Sequence, residues 1–62
     1  MKDELVQKVT TLHDALKELD KVWSKMDWSI VPETVSEQYP FHQELGKIAD
    51  GVNSWLDTIK KS

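Results

Sequence analysis

LVQKVTTLHDALKELDKVWSKM, residues 5–26, decides the fold. Leu5, Val9, Leu12, Leu16, Leu19, Trp23 and Met26 recur at spacings of four and three, an apolar stripe down a helix of about six turns. Val6, Ala15 and Val22 flank the stripe and widen it beyond a strict coiled-coil line, as a globular bundle needs. Gln7, Thr11, Asp14, Glu18, Lys21 and Lys25 make the opposite face, and the last four are spaced for ion pairing along the helix. Asp3 suits an N-cap, so the first helix is expected over 3–26.

The same alternation returns in Phe41, Leu45, Ile48, Val52, Trp55 and Ile59, with Leu56 broadening it. A second helix is therefore expected over 40–60, with Lys60 and Lys61 complementing its C-terminal dipole. Asp50-Gly51 is a turn dipeptide, and each glycine costs a helix roughly 1 kcal/mol relative to alanine. An irregular insertion would shift the apolar phase, however, and the phase runs through residue 51 undisturbed, so one continuous helix is expected.

Residues 27–39 form the connector. Pro32 pushes its predecessor out of the helical region. Pro32-Glu33 then reads as a helix start, and Thr34 with Glu37 as an overlapping capping box. A short helical turn over Glu33–Gln38 and a break at Tyr39-Pro40 follow. The fold class is all-α: a helical hairpin with a short helical turn in its connector, one domain over 1–62, dimerising into a four-helix bundle as short hairpins can. A chain of 62 residues buries only about 60% of its unfolded surface and needs a supplement to its core. Without cysteine there is no disulfide, and self-association is the remaining route.

Composition narrows function. Eight basic residues, all lysine, stand against eleven acids. A chain with no arginine and no basic footprint is not expected to bind nucleic acid. No apolar run exceeds two residues, so no membrane span or signal h-region is expected, and the expected location is cytoplasmic. His13 and His42 lack a ligand partner one turn away, and Gly46 and Gly51 are no phosphate loop, being neither preceded by a strand nor followed by Lys-Ser/Thr. No catalytic residue, metal or cofactor is expected, and the chain is read as a non-enzyme.

Between Lys25 and Lys47 there is no basic residue, while Asp27, Glu33, Glu37 and Glu44 account for the whole negative charge of −3, the rest summing to +1. Trp28, Ile30, Val31, Val35, Tyr39 and Phe41 interleave with these acids. So apolar a connector either plugs the open end of the hairpin or forms a binding patch with an aromatic centre and an acidic rim. The candidate protein-binding residues are Trp28, Ile30, Val31, Tyr39, Asp27, Glu33 and Glu37. Candidates for self-association are Trp23, Gly46, Ala49, Trp55 and Leu56, since small side chains let another helix come close. The expected function is a soluble protein–protein interaction module, a regulator of the inhibitor, antitoxin or immunity type, binding a larger and more basic protein. The alternative is a purely structural homo-oligomeric scaffold element.

Overall fold

A computed structural model describes all residues 1–62. Three helices follow in order: α1 (Lys2–Lys25), α2 (Glu33–Glu37) and α3 (Leu45–Lys61). No strand is present. The long helices α1 and α3 pack together as an antiparallel hairpin in a body of 45 × 18 × 16 Å. At the open end, Lys2 Nζ donates to the carbonyl of Lys60 at 3.0 Å and also to that of Ser62, tying the start of α1 to the end of α3.

Several boundaries differ from the sequence expectation. Met1, not Asp3, caps α1. Asp3 and Glu4 lie within the first turn, where acids favour the exposed N–H groups. The helix stops at Lys25 because Met26 turns extended, at φ −63° and ψ 136°. Pro32 is the N-cap of α2, and no side chain caps that helix, so the Thr34–Glu37 capping box does not form. The second long helix begins at Leu45, five residues after the expected Pro40. Residues 41–44 lie outside it because Phe41 stacks on Tyr39, with ring centres 5.3 Å apart, and Glu44 is extended at φ −65° and ψ 150°. The Asp50-Gly51 doubt resolves as expected: α3 is continuous through it.

The core is two small clusters. Val9 meets Leu56 and Ile59, with Val6 and Val52 against them. Leu16 meets Leu45 and Ala49, with Trp23, Tyr39, Ile48 and Val52 around them. These six buried residues are the whole core, and no large side chain is fully enclosed. The expected stripe is thus only half used. Leu5, Leu12 and Leu19 stay 46%, 46% and 44% exposed, and Trp55 of the second stripe is 51% exposed. Of the expected surface ion pairs one forms, Lys21 with Glu18 at 3.6 Å, which in full solvent contributes little.

Candidate interaction surfaces

The connector is an ordered run of turns. Asp27 accepts hydrogen bonds from the Ser29 hydroxyl and from the Ser29 N–H at 3.0 Å. Ser29's hydroxyl, and after it the N–H, hold the Asp27 carboxyl below its ordinary 3.8. The Ile30 N–H donates to the Asp27 carbonyl at 3.2 Å, and Pro32 then leads into α2. Beyond α2 the Tyr39 N–H donates to the Ser36 carbonyl at 3.3 Å. Its hydroxyl donates to the Gln43 carbonyl, which sets the ring across the end of the hairpin.

These turns assemble a chain of four aromatic rings. Trp28 meets Trp23 edge-on at 4.6 Å and 70°, Trp23 meets Tyr39 at 5.4 Å and 49°, and Tyr39 meets Phe41 edge-on at 73°. Offset and edge contacts of this kind contribute about 0.5–1.5 kcal/mol each beyond the area buried. The chain of rings divides two open grooves. One, of about 520 Å³, is lined by Asp20, Trp23, Tyr39, Phe41, His42 and Glu44 among others. The other, of about 310 Å³, is lined by Trp23, Trp28, Val31, Glu33 and Ser36.

Of the residues assigned to a connector patch, Trp28, Val31 and Glu33 come together on the smaller groove, and Tyr39 walls the larger. Asp27 holds the first turn. Ile30, at 79% exposure, and the exposed Glu37 line neither groove. Of the connector's rings and Phe41 after it, Tyr39 is half-buried against the core, while Trp28 and Phe41 are exposed at 38% and 45%.

The residues assigned to self-association also separate. Ala49 and Leu56 are buried inside the hairpin at 0% and 5% exposure, so neither is free to meet another chain. Gly46 faces Asp20 within the chain, and Trp23 sits among the connector rings. Trp55 alone of the five is widely open to solvent. Sequence reasoning placed Leu5, Leu12 and Leu19 in the core, but they are surface. It also passed over Asp20, whose groove is built by residues some twenty positions further on.

No three His, Asp or Glu side chains converge as a metal-ligand set, and His13 pairs its Nδ1 with Asp14 at 3.2 Å. No helix is long and apolar enough to cross a membrane. The fold and its surfaces define an antiparallel helical hairpin with an aromatic, acidic connector and an incompletely covered core. No protein-family model, no curated protein and no solved structure matches the chain.

Proposed function

We propose that this chain is a small protein-interaction module, a regulator that pairs with itself as a four-helix bundle and engages a larger, more basic protein through its connector. One observation carries the reading: ten large apolar side chains are exposed, against a core of six buried residues. Exposed apolar residues scattered singly need no explanation, but here they gather on α1, as Leu5, Leu12, Leu19 and Val22, and between the long helices, as Trp28, Ile30, Val35 and Phe41, with Trp55 on α3. The connector adds acidic residues, of which Glu33 shares the smaller groove with Trp28, a residue type that dominates binding hot spots, while Asp27 and Glu37 lie outside that groove.

The test is a capture experiment from the native host with the wild-type chain and with Trp28→Ala. A basic protein recovered by the first and lost with the second supports the regulator. Recovery of this chain alone favours the scaffold reading, which the apolar helix faces support equally. Equal recovery of a partner by both removes the connector from the proposal.

A further inference from the structure

The buried and exposed apolar rows are related by a single rotation. Along α1, Val6, Val9, His13, Leu16, Asp20 and Trp23 are all buried or half-buried. Leu5, Leu12 and Leu19 each precede one of these by a residue, which places them about 100° around the helix. Along α3 the enclosed row is Leu45, Ala49, Val52, Leu56 and Ile59, and Ile48 and Trp55 precede two of its members in the same way. The helices are antiparallel, so reversing one also reverses the sense in which its residues wind, seen from either end. A step back from the contact row consequently leads to the same side of the hairpin on both helices. One long face is therefore lined by Leu5, Leu12, Leu19 and Trp55, with the half-buried Ile48 at its base, and the same step places Lys8 and Thr58 toward its open end. A step forward leads to the other face, which carries Thr10, Lys17, Ser24, Asn53 and Lys60. The first side is mainly apolar and the other polar.

We propose that a second copy of this chain covers the apolar face in the opposed orientation, each connector lying beside its partner's open end. This rests on the self-association reading and adds to it the face and the direction. The size fits, because the long side of a 45 × 18 × 16 Å body matches the 800 Å² or so that each partner buries in a standard interface. The edges of the face are low: Ala15 borders it on α1, and at Gly51 on α3 an added Cβ would meet nothing within 4 Å.

Charge selects the direction. Asp27, Glu33, Glu37 and Glu44 cluster at the connector end with no lysine between them, while at the open end Lys2, Lys8, Lys60 and Lys61 outnumber Asp3, Glu4 and Asp57. Aligned copies would bring both sets of connector carboxylates together. Opposed copies separate them by most of the 45 Å length, several times the Debye length of about 8 Å at physiological salt, and set each beside the partner's open end, where lysines are in the majority. Such rim charges fix register and orientation more than affinity.

The chain has no cysteine, so a single Ile30→Cys variant takes one spin label at a connector position that is 79% exposed. Sedimentation of this sample is expected to give the mass of two chains, and pulsed dipolar spectroscopy a label separation approaching the 45 Å length. A separation below half that length means aligned copies and overturns the orientation while leaving self-association standing. A single-chain mass at every concentration overturns both. Leu12→Glu is expected to give a single-chain mass with its helical spectrum kept, and Lys17→Glu on the polar face to leave the dimer intact. If Leu12→Glu unfolds, Trp55→Gln, at a half-exposed site, carries the same test. A dimer unaffected by the apolar-face change means that another face is used, and overturns the proposal.

Discussion

Asp20 lies against Gly46: its Oδ2 is 3.3 Å from the point a Cβ on Gly46 would occupy. A carboxylate fits half-buried between α1 and α3 because the residue facing it has no side chain. Gly46→Ala asks the flexible end of Asp20 to move by a few tenths of an ångström, and residue 46 is in the first turn of α3, where helix propensity counts for little. Its expected effect is within about 0.5 kcal/mol of zero. Gly46→Leu has no such room and should cost about 1–3 kcal/mol by overpacking. Denaturant melts of the two variants check this, and equal melts would show that the helices do not approach closely at this point.

Gly51 offers the opposite case. A Cβ there meets nothing within 4 Å and the residue is mid-helix, so Gly51→Ala should stabilise by roughly 0.5–1 kcal/mol. A loss of helical circular dichroism in this variant would contradict a continuous α3.

Leu16 is 8% exposed and joins Leu45 and Ala49 in the cluster nearer the connector. Leu16→Ala should cost about 2–5 kcal/mol. A single core of this size rarely supplies more than about 3–5 kcal/mol in total, so much of the helical circular dichroism should be lost. A variant that keeps its full helical signal and melting point would place the core elsewhere.

Trp28 is 38% exposed and touches the half-buried Trp23 through an edge-to-face contact. Trp28→Ala should therefore cost about 1 kcal/mol, the size of one aromatic pair plus a little area. The measurement is a melt compared with that of Leu16→Ala, and a loss as large as Leu16→Ala would make Trp28 a core residue.

Asp27 sets the acid behaviour of the connector. Its folded carboxyl titrates below the ordinary 3.8, so the support that its ionised form gives the turn is present above that value and lost as pH falls through the lowered one. Ser29→Ala removes the hydroxyl donor, and the Asp27 titration, followed by carboxyl-carbon NMR, should move up toward 3.8. An unchanged titration would mean that the hydroxyl is not bonded to the carboxylate in solution.

The long helices and the short turn between them were legible because apolar period is a local property. Phase continuity across Asp50-Gly51 outweighed the turn dipeptide, and α3 runs through it. The start of α3 was not legible, since Phe41 has the right phase for the helix and is drawn away by Tyr39. The site was readable only in composition. Aromatic and acidic residues in the connector are visible in the chain, but the pairing of Trp28 with Trp23, and the approach of Asp20 to the residues after Tyr39, depend on the hairpin closing.

By itself, then, the sequence determined two amphipathic helices, their approximate extent and a charged, aromatic connector, all of which follow from spacing along one chain. Only the tertiary structure decided which edge of each stripe is buried. An apolar stripe more than about 100° wide can meet its neighbour along either edge. Small side chains decide the matter, because helices approach most closely where Cβ atoms are few and short. Gly46 and Ala49 draw α1 toward their own side of α3. That choice buries Leu16 and leaves Leu12 and Trp55 in solvent.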